Sequence, residues 1–357
     1  MPYVAGVDAH KNTHSVVFLD SVGRVVKSLK ISTNAAGYEE ALALARSLDG
    51  EVVWGLESTG CYASALARVL IASGAVVYEV PGSFTKRHRQ RSSRTGKSDP
   101  LDAQAIAEAV LREAHRLPRF EEAEEREALR LRYDQRDRLV QQRTEVINRL
   151  RSTALRLDRG DLPQDLLSAP GIRAIQDIIE SAQASADTVI QALVDDLRFA
   201  IEDIVRINVR IKALEALLRP MVRRLAPELL ELRGVSTIVA AGLIGHAGNL
   251  RNCRNADAFA MRAGTAPVEC SSGRSTAVRV NRGGNRQLNR LLHVIALVQL
   301  SRPDHAGRRY YDRKRAEGKT ARAALRALKR KLTVVVYYRI IAAAERFAVS
   351  AGQQSAA

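Results

Sequence analysis

The sequence predicts an α/β N-terminal region followed by a mainly helical remainder. Short runs of branched residues alternate with helical stretches as far as Pro81, whereas the residues after Pro118 turn helical and from about Glu121 follow a heptad-like apolar repeat. Val4–Val7, Ser15–Leu19 and Val25–Ile31 read as three consecutive antiparallel strands separated by turn-like segments. A helix from Ala35 to Leu48 follows, capped by Asn34, then a strand over Val52–Leu56, a helix over Tyr62–Ser73 and a strand over Val76–Val80 that Pro81 and Gly82 end. The domains expected are 1–118 (α/β), 119–227 (long helices), 228–348 (mainly helical with a Ser-bearing loop) and a disordered tail, 349–357.

Three meandering strands followed by helix-strand-helix-strand is the order of an RNase H-like sheet. The right-handed crossover rule makes its last two strands parallel to the first. Asp8 closes the run Val4-Ala5-Gly6-Val7 and Glu57 closes Val52–Leu56, so the two carboxylates are expected side by side at strand ends. Asp99 and Asp102 are three apart at the start of a helical stretch and share one face of its first turn. The bland reading makes Asp99 a helix N-cap with Pro100 at the first helical position, a role compatible with ligation. Four acids around one cleft can hold divalent metal, Mg²⁺ or Mn²⁺, against a phosphodiester.

Charge supplies the partner. Lys and Arg number 56 against 39 Asp and Glu, a formal net charge of +17 with a pI near 10.3. Such an excess points to nucleic acid, because no apolar stretch has the length of a membrane span. The N-terminus does not read as a signal peptide, and the three cysteines (Cys61, Cys253, Cys270) have no metal-ligand spacing. A bacterial cytoplasmic protein, nucleoid-associated when active, is expected. With 4% aromatics, phosphate contacts from Arg should outweigh base stacking. The segment between Pro81 and Asp99 has no apolar core pattern and reads as a charged loop gripping phosphate, through Lys86, Arg87, Arg89, Arg91, Arg94 and Lys97. His88 and His115 are expected near phosphate, and His10 and His14 at the surface rather than on metal.

In the helical region Tyr133, Val140, Ile147 and Ala154 recur every seven residues, with Leu150 and Leu157 between the repeats. After a break near Leu162–Gly171, a second seam runs Leu197, Ile201, Ile204, Asn208, Ile211, Leu218, Val222, Leu225. These seams suggest a coiled coil or hairpin, within a subunit or between two, and a homodimer pairing into a tetramer on DNA. Residues 229–241 resemble a helix-hairpin-helix turning at Gly234. The Gly- and Ser-rich segment Ala263–Asn285 places Ser271 and Ser272 near Arg274, Arg279, Arg282, Asn285 and Arg286, a set suited to a backbone phosphate. Taken alone, Ser-Ser-Gly-Arg-Ser is a weak signal, and no triad partner follows it. Cys270 reads as a buried thiol.

Taken together, Gly6-Val7-Asp8, Leu56-Glu57-Ser58-Thr59-Gly60, Lys97-Ser98-Asp99-Pro100-Leu101-Asp102-Ala103 and Gly264-x-x-Pro267 leading to Ser272-Gly273 and Gly284-Asn285 resemble the DEDD-type insertion-sequence transposases, relatives of the Piv/MooV DNA invertases. The resemblance runs from Val4 to Tyr338. It implies a RuvC-like domain, a coiled coil and a C-terminal transposase domain, with metal on Asp8, Glu57, Asp99 and Asp102. The family's nucleophilic serine stands five residues after the proline and directly before a glycine, which selects Ser272 over Ser271. The resemblance also implies recombination guided by a structured noncoding RNA that pairs with donor and target DNA, at a site shared between subunits. The turn Arg233-Gly234-Val235-Ser236 departs from the family's Pro-Gly-Ile-Gly type. A plain RuvC-like nuclease or Holliday-junction resolvase, using water as nucleophile, is the alternative. An actin- or sugar-kinase-like ATPase is excluded, because no second βββαβα repeat follows.

Overall fold

The apolar run that Asp8 closes is the central strand of a mixed sheet. In the computed structural model, which describes residues 3–57, 62–91, 98–120, 124–157, 162–248, 250, 253–272, 275–281 and 283–354, the chain divides into two compact units, 1–123 and 124–357. For residues 83, 89–91, 124, 169, 269–272, 275–280 and 347–354 the description covers the backbone alone.

In the first unit β1 (Tyr3–Ala9), β2 (Thr13–Leu19) and β3 (Val25–Ser32) form the expected antiparallel meander. Helix α1 (Ala35–Arg46) starts at Asn34, whose side chain accepts from the Gly37 amide at 3.0 Å. It leads to β4 (Val52–Leu56), α2 (Ser64–Ala72) and β5 (Val76–Glu79). The sheet order is β3-β2-β1-β4-β5, with β4 parallel to β1 and β5 parallel to β4. This is the arrangement the RNase H-like reading requires. Phe18, Trp54 and Leu66 are buried on the face that α1 and α2 cover. Val4, Val17 and Leu19 are buried on the other face, under Ile106 and Val110.

The charged loop expected after Pro81 is a correction: helix α3 spans Gly82–Arg91. Its buried side is polar, which is why apolar periodicity hid it. Thr85 and His88 are buried there, and the His88 Nε2 lies 2.9 Å from Glu113 of α4 (Asp99–Glu113). Arg87 and Arg116 also reach Glu113, at 3.4 and 2.9 Å. Lys86 is exposed, and Arg94 and Lys97 lie outside the described residues.

In the second unit α5 (Glu124–Leu157) and α7 (Thr188–Leu225) pack along each other. The buried α7 seam is Leu197, Ala200, Ile204, Ile207, Ile211, Leu214, Leu218 and Met221, a strict alternation of three and four. The sequence reading had Leu197, Ile204, Ile211 and Leu218, and also Val222, which is fully buried beside Met221, but set two contacts one residue late, at Ile201 and Asn208. Asn208 therefore lies beside the seam, where its Oδ1 accepts from Arg143 Nη1 at 2.8 Å. After the expected break comes a helix the sequence reading did not name, α6 (Ala169–Ala182), whose Ile175 and Ile178 pack with Leu150 and Leu197.

Beyond α7, the first arm of the expected helix-hairpin-helix is a single 3₁₀ turn, Pro227–Leu229, followed by α8 (Thr237–Ala247). Gly234 adopts φ 92°, and a Cβ there would stand 3.1 Å from the Ile295 carbonyl oxygen. The turn therefore seats against a neighbouring helix. Next come α9 (Ala256–Arg262), the hairpin β6 (Pro267–Ser272) and β7 (Ser275–Val280), α10 (Arg286–Leu300), α11 (Ala306–Ala316) and α12 (Ala321–Gln354). The segment expected as a Ser-bearing loop is thus largely a two-stranded sheet. Leu243, Phe259, Leu292 and Val336 centre the core that α8, α9, α10 and α12 share. Among the described residues no helix is long and apolar enough to cross a membrane.

Candidate active site

Two glycines bring the acids together. Gly6 of β1 and Gly55 of β4 are register partners, and α4 crosses directly over them. A Cβ on Gly6 would stand 2.1 Å from the Ala103 carbonyl oxygen and 2.4 Å from the Ala107 nitrogen. One on Gly55 would meet Val110 at 2.4 Å. With no side chain intervening, the first turn of α4 lies beside the end of β1. Ser98 takes the N-cap position, so Asp99 is the first helical residue rather than the cap.

Asp8 is nearly buried, and its carboxyl is held above the ordinary aspartate pKa. Burial is the main cause; His10 opposes it, and the charges of Asp102, Asp99 and Glu57 add to it. The charges of the other three acids thus all reach Asp8. The negative charge gathered at Asp8 is what a bound cation would offset, and an all-oxygen donor set of this kind suits Mg²⁺ or Mn²⁺. Such an ion, when bound, would offset negative charge on a phosphodiester.

Glu57 is oriented from α3. Thr85 Oγ1 donates to Glu57 Oε2 at 2.8 Å, and a Cβ on Gly82 would approach Glu57 Oε1 to 2.7 Å. Sequence reasoning missed Thr85, because it lies in the segment taken for a loop. It also misplaced His14 and His88, whereas His10 is exposed as expected. His14 is fully buried and stacked on Tyr38 rather than at the surface. The His10 Nε2 lies 3.1 Å from Asp8 Oδ2 and 3.4 Å from Asp99 Oδ1. The two-residue spacing of Asp8 and His10, which sets both on one side of an extended chain, was the available signal. His88, expected near phosphate, is buried on Glu113, whereas His115 is exposed.

Ser272 ends β6, opposite Ser275, at the tip of the hairpin; Gly273 and Arg274 lie outside the described residues. The hairpin base is fixed to α9 and α10. The Asn281 Nδ2 donates to the Met261 carbonyl at 2.7 Å, and Asn289 Nδ2 donates to the carbonyls of Ala263 and Gly264 at 3.1 and 2.8 Å. Thr265 and Thr333 of α12 share a hydroxyl hydrogen bond of 2.8 Å. Gly264 has φ 64°, and a Cβ on Gly284 would lie 2.3 Å from the Gly264 nitrogen. Of the cationic and polar residues expected on phosphate, Asn285 caps α10, accepting from the Gln287 and Leu288 amides, and Arg286 is exposed. Arg87 packs over the Phe84 ring besides pairing with Glu113. Arg89 and Arg91 lie on the α3 backbone and Arg279 on β7, while Arg282 lies outside the described residues.

Comparison with known proteins gives a coherent result. Residues 5–157 match the DEDD transposase family model, and residues 226–312 match the model described as transposase IS116/IS110/IS902 family. A 42 kDa protein of insertion element IS900 from Mycobacterium paratuberculosis is 30% identical, covering 94% of this chain and 95% of its own. A 44.8 kDa protein of insertion element IS116 from Streptomyces clavuligerus is 27% identical, covering 93% of each chain. Among solved structures, RuvC of T. thermophilus in complex with Holliday junction substrate aligns over 30% of this chain and 90% of its own, with 15% identity and a TM-score of 0.25. By its two family matches and its full-length likeness to the IS900 protein, the chain belongs to the IS110/IS116 family of insertion-element transposases.

Proposed function

We propose that this transposase cuts and rejoins DNA at a phosphodiester held by Asp8, Glu57, Asp99 and Asp102 through Mg²⁺ or Mn²⁺. The observation that carries the reading is the placing of Asp8 and Asp99 ligand atoms within 4.8 Å of each other at the end of β1, where the charges of Glu57 and Asp102 also reach Asp8, in a chain of net charge +17. Ser272 is the nucleophile in this reading, supported by its place five residues after Pro267 and directly before Gly273. Its Oγ forms a bond to phosphorus as one bridging P–O bond breaks. The hydroxyl proton leaves, and the departing sugar oxygen gains one. Attack by that oxygen, or by an equivalent one from a second DNA end, reverses the step and releases the serine, so the bond energy is conserved without a nucleotide cofactor. A structured noncoding RNA guides the pairing of donor and target, a reading that rests on the family resemblance, and a dimer that pairs into a tetramer is the working assembly, which rests on the heptad seams.

Asp102→Asn and Ser272→Ala should each abolish strand exchange. A covalent protein–DNA adduct, trapped on a denaturing gel, should form with wild type and vanish with Ser272→Ala. Recombinant joints from Ser272→Ala would overturn the serine mechanism and favour the water-using nuclease. Sequencing the RNA that copurifies tests the guide: one abundant structured species supports it, and a random mixture rejects it.

A further inference from the structure

The proposed ligands are all oxygens, yet the group that converges most closely among the described residues includes an imidazole. One ligand atom each from Asp8, His10 and Asp99 lie within 4.8 Å of one another. They come from different directions: the end of β1, the turn after it and the first residue of α4. The His10 Nε2 stands 3.1 Å from one carboxylate and 3.4 Å from the other. A single ring N–H cannot point well at two acceptors at once. Those spacings are, however, those of neighbouring ligands on one cation, which sit about 3.0 Å apart when each bond is about 2.1 Å and the angle is near 90°. The side chain is half exposed, so ordinary core packing does not account for its place.

We propose that His10 is a further ligand of the cation held by Asp8 and Asp99, and that its nitrogen makes the site prefer Mn²⁺ to Mg²⁺. The proposal rests on the metal reading of the four acids. Its chemistry is that of donor type: Mg²⁺ demands hard oxygen ligands and keeps its waters, whereas imidazole nitrogen favours the later divalent ions. A merely hydrogen-bonded His10 would orient the carboxylates without altering the choice of ion.

Mn²⁺ binding to the full-length protein, followed by electron paramagnetic resonance, separates these possibilities without any measurement of activity. Wild type should bind Mn²⁺ and show ¹⁴N modulation from a coordinated imidazole in a pulsed spectrum. His10→Gln should lose that modulation, and its Mn²⁺ affinity should fall about tenfold with a smaller loss for Mg²⁺. Circular dichroism melting confirms that the variant is folded, as expected for a half-exposed side chain. Bound Mn²⁺ without ¹⁴N coupling in wild type overturns the role of His10 and leaves the acid site standing. Coupling that persists in His10→Gln likewise overturns it. Failure of wild type to bind Mn²⁺ overturns both readings.

Discussion

The acid cluster and the serine hairpin are built in opposite ways. In the first unit, residues far apart in sequence are brought together by a helix laid over glycines of two parallel strands, backbone-to-backbone at Gly6, and the acids inherit their positions from that contact. In the second unit Ser272 is placed by its near neighbours. It ends a two-stranded sheet whose base, from Ala263 to Asn289, is pinned by side-chain amides and a glycine pair. A site of the first kind fails only when the fold around it shifts. One of the second kind can be dislodged while the surrounding core stays intact.

The contrast can be broken most forcefully at Gly6. Gly6→Val forces side-chain atoms into the Ala103 and Ala107 backbone and should destabilise the first unit by about 3 kcal/mol or more. Trp54, the single tryptophan, is buried in that unit, and its fluorescence during urea unfolding reports the loss. An unchanged midpoint would mean that α4 is not seated on Gly6. Gly284→Ala should cost about 2 kcal/mol and loosen the hairpin base, leaving the Trp54 transition where it was. A smaller effect is expected from Thr85→Val, which keeps the shape and removes the donor to Glu57. About 1 kcal/mol of stability should go, with a severalfold loss of Mn²⁺ affinity by calorimetry, and Thr85→Ser should restore both.

The mildest test uses pH. The Glu113 carboxyl is held below the ordinary glutamate value by the His88 hydrogen bond, against some burial penalty, with help from Arg87 and Arg116. A carboxylate with a depressed folded pKa adds stability above its unfolded value near 4.5, and this is lost as pH falls through the folded pKa. Melting temperature should therefore drop more steeply below about pH 4.5 in wild type than in Glu113→Gln. Parallel acid limbs would show that the buried cluster beneath α3 contributes nothing to the site's support.

Much of the acid site was readable because apolar runs mark where strands stop, and Asp8 and Glu57 are the residues at which they stop. The sheet order followed from the sequence of elements and the handedness of crossovers. What escaped notice shares a physical cause. Helix α3 buries Thr85 and His88 rather than leucines, so no hydrophobic period reveals it. The two misplaced α7 seam positions arose because Ile201 and Asn208 are adjacent to the true contacts Ala200 and Ile207, and a one-residue offset cannot be judged without the partner helix. His10 was read only as a surface residue because one of its partners, Asp99, is some ninety positions away. Ser272 was chosen through resemblance; its neighbours alone describe a turn.

The contact at Gly6 also bears on how this chain can change over time. Because the spacing between β1 and the start of α4 is set by main-chain atoms, it does not depend on which apolar side chains fill the layers on either side. Phe18, Ile106 or Leu66 could be exchanged for residues of similar volume, at modest cost in stability, while the carboxylates keep their separation. Sequence drift in the core and fidelity of the chemistry are thereby uncoupled, provided that residue 6 never acquires a side chain.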